Sequence, residues 1–251
     1  MVDAIVLAGS PNTGPLKECS PARYEALISI GGKTMVEYVV EALNSSKKIN
    51  NIVVVGPRDE LAEIMPGYVT VVPAGNSLLE NLMEGLRHLS GTEKVLMATC
   101  DIPMITPQAI ENFLDLCSGK QADIYYPVIS KKDVERIYPC TSRTYVSLKE
   151  GRFTGGNLFL FKPEVVEGCM KKGQQLVAAR KSPVKMCKLL GTVFLIKFLL
   201  RQVSLREAES RVSTVLGVSG AVVISSYPEV GVDVDKPSDL QLATEKLSMA
   251  V

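Results

Sequence analysis

The sequence begins with the apolar run Ala4-Ile5-Val6-Leu7-Ala8, which passes through Gly9-Ser10 into a loop rich in Pro, Gly, Asn and Thr. A short apolar run closed by glycine is typical of a strand buried on both faces of a parallel sheet. Three similar runs follow, and each is closed by a proline or leads into a polar turn. They are Ile52–Val55, Tyr68–Val72 and Val95–Ala98. Because helical patterns separate these runs, we predict strands that alternate with helices in a mostly parallel sheet.

The helical patterns carry recognisable N-terminal signals. Thr34 with Glu37, and Ser77 with Glu80, have the spacing of a capping box. Thr106 precedes a proline, which fits an N-cap followed by proline at the first helical position. The sequence therefore predicts amphipathic helices that cover the sheet.

The second half of the chain departs from this alternation. Three ranges read as strands with no helix between them, which indicates an antiparallel addition to the sheet. They are Ile124–Val128, Thr144–Leu148 and Asn157–Phe161. The pattern is helical from 163 to 217, and strand signals return at Ala221–Ser225 and Val230–Val234. We predict one α/β domain over residues 1–251, with a helical insertion at about 165–217.

Composition and charge exclude several classes of protein. The 251 residues carry 28 Lys and Arg against 27 Asp and Glu, and this net charge of +1 is unlike the basic footprint of a general nucleic-acid binder. The longest apolar stretch, Leu189–Leu200, is interrupted by Gly and Lys and is shorter than the ~20 residues that a membrane span needs. No basic region precedes the first apolar run, and the cysteines form no CxxC pair. We therefore expect a cytoplasmic protein with reduced thiols that binds neither nucleic acid nor membrane.

The loop after Gly9 is the first candidate site. It lies beyond the carboxyl end of a strand, where open α/β sheets bind ligands, and its glycines allow backbone N–H groups to turn toward phosphates. A plain connecting loop is the alternative. Two familiar nucleotide motifs are excluded. Leu27 replaces the first glycine of a P-loop ending in Gly32-Lys33-Thr34, and Pro11 replaces a glycine of the dinucleotide fingerprint.

Three aspartates are candidate ligands for Mg²⁺, which usually takes one or two protein carboxylates plus substrate phosphates. Asp101 follows the fourth strand and is predicted at the same edge of the sheet as the first loop; a turn or capping role is the alternative. On a strand, Asp233 and Asp235 project from one face. With Asp101 they would complete a divalent-metal site. Asp235 also precedes a helix that starts with proline, and a capping role is open to it.

The predicted insertion is strongly basic. Nine basic residues and no acidic one lie between Gly168 and Arg206 inclusive. Such a run is typical of a solvated helix face, and it is also suited to steering an anionic acceptor. The apolar helices near 186–216 offer a surface for a homodimer.

Four segments follow one another as they do in the MobA-like nucleotidyltransferases, and the chain resembles that family over nearly its whole length apart from the insertion. They are Leu7-Ala8-Gly9, the stretch 26–33, Cys100-Asp101-Ile102-Pro103-Met104 and the stretch 233–240. The group includes molybdenum-cofactor guanylyl- and cytidylyltransferases and sugar-phosphate nucleotidyltransferases. The resemblance implies a Rossmann-like, three-layer αβα fold and one Mg²⁺ ion. It also implies attack of an acceptor phosphate on the α-phosphate of an NTP, with loss of pyrophosphate.

The resemblance also assigns roles by position. The residues that would hold the nucleotide are Leu7, Ala8, Gly9 and Ser10 at the phosphates, with Gly75, Asn76 and Ser77 at the base and ribose. Asp101 would hold Mg²⁺, and Asp233 or Asp235 would be its second carboxylate. The segment Gly155-Gly156-Asn157 would face a small phosphorylated acceptor.

Two positions depart from the family pattern. Ser10 stands where the family usually has a second glycine, and Glu25 stands where it has a lysine that neutralises the leaving phosphates. Lys17 and Arg23 are the only basic residues between Gly9 and Glu25, so one of them is the candidate to supply this catalytic charge.

The leading hypothesis is a Mg²⁺-dependent enzyme that transfers NMP from an NTP to a phosphorylated acceptor. A nucleotide-binding protein without turnover is the first alternative, suggested by Glu25 and Ser10. A glycosyltransferase that uses a nucleotide sugar is the second. Against it, Asp101 is followed by Ile-Pro, whereas those enzymes typically have Asp-x-Asp.

Overall fold

The structure is a computed structural model that describes residues 1–139, 141–179 and 182–248. The strands are β1 (Val2–Leu7), β2 (Ser29–Ile30), β3 (Lys33–Thr34), β4 (Ile49–Gly56), β5 (Val69–Pro73), β6 (Val95–Thr99), β7 (Ile124–Ser130), β8 (Val146–Leu148), β9 (Gly151–Gly155), β10 (Leu158–Phe161) and β11 (Gly220–Ser225). The helices are α1 (Met35–Ser45), α2 (Arg58–Ile64), α3 (Leu78–Arg87), α4 (Pro107–Ser118), α5 (Lys131–Ile137), α6 (Pro163–Ala179), α7 (Pro183–Leu190), α8 (Thr192–Leu199), α9 (Leu205–Leu216) and α10 (Pro237–Ser248).

The parallel half of the sheet has the strand order β5-β4-β1-β6. After β1 the chain builds outward through β4 and β5, and it then crosses back to place β6 on the other side of β1. Open α/β sheets form a crevice at the carboxyl edge where the strand order reverses in this way. Leu7 is paired with Thr99, so the residues that follow β1 and β6, Gly9 and Asp101, come to the same edge.

Alternating side chains of β1 enter two cores on opposite faces of the sheet. Ala4 and Val6 are fully buried in a cluster that includes residues of α1, α4 and α10. Ile5 and Leu7 belong to a second cluster that includes residues of α3 and α6. This alternation is that of a strand covered on both faces. The predicted three-layer αβα fold with a mostly parallel sheet is confirmed.

The other half of the sheet contains the predicted antiparallel additions. Strand β10 pairs antiparallel with β6 and β7, strand β9 pairs antiparallel with β7 and β8, and β11 runs parallel to β7. The expectation of no helix in this region is wrong, because α5 separates β7 from β8. Ser130 caps α5 by accepting a hydrogen bond from the Asp133 N–H (3.1 Å).

The helices α6 to α9 occupy the region predicted as an insertion. A capping box of Ser204 and Glu207 starts α9, and Gly217 ends it in the left-handed conformation (φ 77°), as is common at helix C-termini. Arg180 and Lys181 of the basic run lie outside the described residues. In the part of the chain that the structure describes, no helix has the length and apolarity needed to cross a bilayer.

The predicted strand Val230–Val234 is wrong. A 3₁₀ turn spans Pro228–Gly231, and the residues that follow it form no strand. A Cβ added at Gly231 would lie 2.7 Å from Ile129 Cδ1 and 3.1 Å from Gly155 O, so this segment packs directly on β7 and β9. Close packing takes the place of strand pairing here.

Three helix starts test the predicted caps. Both hydrogen bonds of the Thr34 capping box are present, and the Thr106 hydroxyl accepts from the Ala109 N–H as expected. Ser77 caps α3, but the Glu80 carboxylate accepts from the Asn76 N–H (2.8 Å) and not from that of Ser77. The reciprocal half of the Ser77–Glu80 box is therefore displaced by one residue.

Candidate functional site

The loops after β1 and β5 touch at the carboxyl edge of the sheet. A Cβ added at Gly9 would lie 2.8 Å from the Ala74 Cβ and 3.1 Å from Asn81 Nδ2. Asn81 is buried, and its Oδ1 accepts a hydrogen bond from the Gly75 N–H (2.6 Å). A larger residue at position 9 would push the two loops apart, which explains the glycine there. The structure thus brings the two predicted nucleotide-binding loops together.

The predicted nucleotide contacts differ in their accessibility. Leu7 and Ala8 are buried, and the Ala8 N–H donates to Val55 O (2.8 Å). The Ser77 hydroxyl accepts from the Glu80 N–H (3.2 Å) and is committed to capping α3. Ser10 and Asn76 are exposed. Ser10 and Asn76 are therefore the solvent-accessible members of this set, whereas Leu7 and Ala8 support the loop from the core.

The three predicted carboxylates lie together. Asp101, Asp233 and Asp235 each offer a carboxylate oxygen within 4.8 Å of the other two. Asp101 and Asp233 are half-buried and Asp235 is exposed. Oxygens that share one cation lie at most about 4–5 Å apart, twice the metal–oxygen distance.

Backbone contacts fix Asp101 between two parts of the chain. The N–H of the preceding residue, Cys100, donates to Leu7 O (3.2 Å), which extends the pairing of β6 with β1. The Asp101 carbonyl accepts from the Val234 N–H (2.8 Å), which draws the segment with Asp233 and Asp235 to the same edge. The Thr99 hydroxyl donates to Asp101 Oδ1 and orients the carboxylate.

The site is strongly acidic. Burial, together with the negative charge of Asp233, raises the pKa of Asp101 to about 7. Burial also raises the pKa of Asp233 to about 6, while Arg143 acts in the opposite direction. Clustered carboxylates whose charged forms are disfavoured gain from a divalent cation, and an all-oxygen donor set suits a hard ion such as Mg²⁺. The residues present therefore fit the implied metal.

A family model for the MobA-like NTP transferase domain matches residues 4–188. The chain belongs to this family. The family is one of nucleotidyltransferases, as the sequence motifs indicated. The matched range contains Gly9, Gly75 and Asp101, whereas Asp233 and Asp235 lie beyond it.

Known proteins extend this assignment. A solved structure titled as a hypothetical transferase from Thermus thermophilus is 38% identical, covers 95% of this chain and 99% of its own, and superposes with a TM-score of 0.84. A CMP:2-keto-3-deoxy-manno-octonic acid synthetase complexed with CTP is 15% identical and has a TM-score of 0.63 over 100% of this chain and 99% of its own, which shows a shared fold. A 2-C-methyl-D-erythritol 4-phosphate cytidylyltransferase from Rhodococcus opacus is 29% identical over 133 residues. That match spans 51% of this chain and 58% of the relative.

Glu25 faces the acidic site from the first loop. Its N–H donates to Ser10 O (3.0 Å), and its negative charge contributes to raising the pKa of Asp101. The sequence resemblance aligns Glu25 with a lysine of the family motif.

Lys17 and Arg23 lie on the outer part of the same loop. Lys17 is in the 3₁₀ turn Pro15–Glu18, and both side chains are exposed. Buried Asn12 ties the loop closed: its Nδ2 donates to Ser20 O (3.2 Å) and to Ala22 O (3.0 Å). The contacts described for these two cations place neither against the three carboxylates.

The segment 155–157 lies beside the end of β6. The Asn157 carbonyl accepts from the Thr99 N–H (3.2 Å), and the Asn157 N–H donates to Val230 O (2.8 Å). Asn157 therefore joins β6 to the 3₁₀ turn that precedes Asp233. A Cβ added at Gly156 would lie 2.8 Å from both Pro127 Cγ and Val230 Cγ1, so glycine is required for this approach.

Sequence reasoning missed Arg143. The residue lies between α5 and β8, outside the quoted motifs, and it forms an ion pair with Asp233. No spacing rule links residues 143 and 233, so this contact becomes visible only in the folded chain.

Proposed function

We propose that the protein is a Mg²⁺-dependent nucleotidyltransferase that transfers NMP from an NTP to a small phosphorylated acceptor. The observation that carries this proposal is the cluster of Asp101, Asp233 and Asp235 beside the loop of Gly9, at the edge where the strand order reverses. Family membership supports the same chemistry.

In the proposed reaction an oxygen of the acceptor phosphate forms a bond to the α-phosphorus of the NTP. The bond from that phosphorus to the bridging oxygen breaks, and pyrophosphate leaves with the electron pair. Such transfers depend mostly on positioning and on charge neutralisation. Bound Mg²⁺ would supply neutralisation of the phosphate charge. The protein's own part is to orient the triphosphate with the backbone of the Gly9 loop and to hold the three carboxylates in place.

We assign the nucleotide and the acceptor to different residues of the site. We assign Ser10 and the Gly9 backbone to the phosphates and the exposed Asn76 to the base and ribose. Asn157 and its two glycine neighbours lie toward the acceptor. CTP is the first nucleotide to test, since the curated relatives are cytidylyltransferases.

A second candidate is a protein that binds an NTP without turnover. The observation that favours it is Glu25, whose negative charge acts on Asp101 where the family has a lysine. A carboxylate here repels the leaving phosphates instead of neutralising them. Under this alternative, NTP with Mg²⁺ stabilises the fold but no pyrophosphate appears with any acceptor.

Pyrophosphate release and thermal stability together test the proposal. Each NTP is mixed with Mg²⁺ and a panel of phosphorylated acceptors, and melting temperature is measured in parallel because a ligand that binds the folded state raises it. We expect release only when NTP, Mg²⁺ and acceptor are all present. Asp101→Ala should lower the rate about 100-fold or more, the loss typical of removing a charge-stabilising group.

The matched control is Asp115→Ala. Asp115 lies on the outer face of α4, and its exposed carboxylate pairs with Lys48. This variant should leave both readouts unchanged. Full activity in Asp101→Ala, or release that does not depend on an acceptor, would contradict the proposed function.

A further inference from the structure

Arg143 holds one of the candidate metal ligands at two points. Its side chain is only 6% exposed. Nη1 contacts Asp233 Oδ1, and Nη2 donates a hydrogen bond to the Asp233 backbone carbonyl. One guanidinium thus fixes both the side chain and the backbone of Asp233.

Asp239 extends this arrangement to the third carboxylate. Arg143 Nη2 lies 3.5 Å from Asp239 Oδ1, and the Asp239 side chain is 4% exposed. The other oxygen, Oδ2, accepts a hydrogen bond from the Asp235 N–H (3.3 Å). Arg143 therefore restrains Asp233 directly and Asp235 through Asp239.

The segment that carries Asp233 and Asp235 needs such restraints. It forms no strand in the described structure, so sheet hydrogen bonds do not set its position. Metal affinity depends on ligand oxygens being held close to their bound geometry by the groups around them. Together with the packing at Gly231 and the Val234 hydrogen bond, the contacts of Arg143 supply that support.

Charge and shape both favour arginine at this place. Among the groups described as acting on Asp101 and Asp233, Arg143 is the one cation. A planar guanidinium presents several donors in a fixed fork, whereas a lysine ammonium is a point charge that cannot bridge the same acceptors. Arg143 Nε is buried with no partner among the described atoms, so the Nη contacts fix the guanidinium.

We propose that Arg143 is a positioning residue of the metal site, which holds Asp233 and, through Asp239, Asp235 in the geometry that receives a divalent cation. This inference rests on the proposed function. A carboxylate has two oxygens, so Asp233 keeps one for the cation while Oδ1 contacts Arg143.

Titration with Mn²⁺ alone tests the inference without any turnover. Free Mn²⁺ is followed by its paramagnetic resonance signal, and folding is checked by circular dichroism and thermal melting. Arg143→Lys keeps the charge and removes the fork, so we expect the Kd for Mn²⁺ to rise about tenfold or more, as for other groups that orient metal ligands. Arg136→Lys is the matched control, since Arg136 is exposed and pairs with Asp133 on α5.

Asp239→Asn provides a second, milder variant, because it removes the charge that links Arg143 to Asp235. It should weaken Mn²⁺ binding in the same direction, and it decides the question if Arg143→Lys fails to fold. If a variant that folds binds Mn²⁺ with wild-type affinity, the positioning role of Arg143 is wrong, and the proposed metal site is unaffected. A wild-type protein that binds no Mn²⁺ would overturn the proposed metal site and this inference together.

Discussion

The acidic crevice is the site that contains Asp101, Asp233 and Asp235, and its two walls are built in different ways. The strand-built wall consists of Gly9, Gly75 and Asp101, which follow β1, β5 and β6 and are placed by the pairing of those strands. The clamped wall consists of Asp233 and Asp235, which lie on a segment without strand pairing. Side-chain contacts and the Val234 hydrogen bond hold that wall.

The difference shows how each wall responds to change. Many backbone hydrogen bonds share the task of placing the strand-built wall, so replacing the Asp101 side chain removes a functional group and leaves the geometry. The side chains of Arg143 and Asp239 restrain the clamped wall, so replacing either of them alters the geometry itself. Experiments that perturb each wall separately therefore test this description.

The largest expected effect is on the pH dependence of stability, because burial, together with the charge of Asp233 on the opposite wall, raises the pKa of Asp101. Both pKa values are raised, to about 7 and about 6, so the folded protein binds these protons more tightly than the unfolded chain. Without metal, the free energy of unfolding should therefore fall as pH rises from about 4 to about 7. For Asp101 this amounts to roughly 2–3 kcal/mol between pH 5 and pH 8, since one pKa unit is ~1.4 kcal/mol.

Melting curves of the wild type and Asp101→Asn in EDTA, from pH 5 to pH 8, check this prediction. The variant lacks the titrating carboxyl, so its stability should fall less across the range and exceed that of the wild type at pH 8. Excess Mg²⁺ should restore wild-type stability at pH 8 more than at pH 5. Identical slopes for both proteins, with Asp115→Asn as the surface control, would show that the pKa of Asp101 is not raised in the folded protein.

For Gly9 and Asp101 of the strand-built wall, the sequence predicted the position at the sheet edge for the correct physical reason, whereas Gly75 was assigned by resemblance. Apolar runs closed by turn residues indicated strands, and parallel strands must deliver Gly9 and Asp101 to one edge. The clamped wall was brought to the same place for a different reason than expected. Asp233 and Asp235 were predicted to share the face of a strand, but the chain there is irregular and packs tightly at Gly231. Long-range contacts such as that of Arg143 leave no periodic pattern for sequence reasoning to detect.

The second prediction concerns the missing cation of the strand-built wall. If the protein is a working transferase, Lys17 or Arg23 must approach the triphosphate when it binds, since both lie exposed on the loop that follows Gly9. Charge-assisted contacts contribute about 1.5–3 kcal/mol, so one of Lys17→Ala and Arg23→Ala should weaken NTP binding about 10- to 150-fold. Equilibrium titration with each NTP and Mg²⁺ measures this loss.

Glu25→Lys adds a cation to the strand-built wall, whereas the two alanine variants each remove one from its loop. It restores the family's cation, and we expect turnover to rise, or to stay unchanged if another cation already acts there. If the wild type shows no turnover and Glu25→Lys gains some, the nucleotide-binding alternative is supported instead. NTP affinities equal to wild type in both alanine variants would show that this loop does not hold the phosphates.

The smallest expected effect separates the two residues of the clamped wall. Asp233 is 22% exposed and held by Arg143, whereas Asp235 is exposed. A less hydrated charge at a fixed position interacts more strongly with a cation, so Asp233→Asn should raise the Kd for Mn²⁺ about tenfold, ~1.4 kcal/mol, and Asp235→Asn by less. The helix α10 begins at Pro237, which places Lys236 and not Asp235 at its N-cap. The capping role considered for Asp235 is therefore not expected. Asp235→Asn should melt at the same temperature as the wild type. Asparagine at 233 keeps an oxygen that accepts from Arg143, so a loss of affinity there reports the missing charge and not a collapsed wall. Equal losses in the two variants would mean that the pair binds the cation as a unit, and that burial does not rank its members.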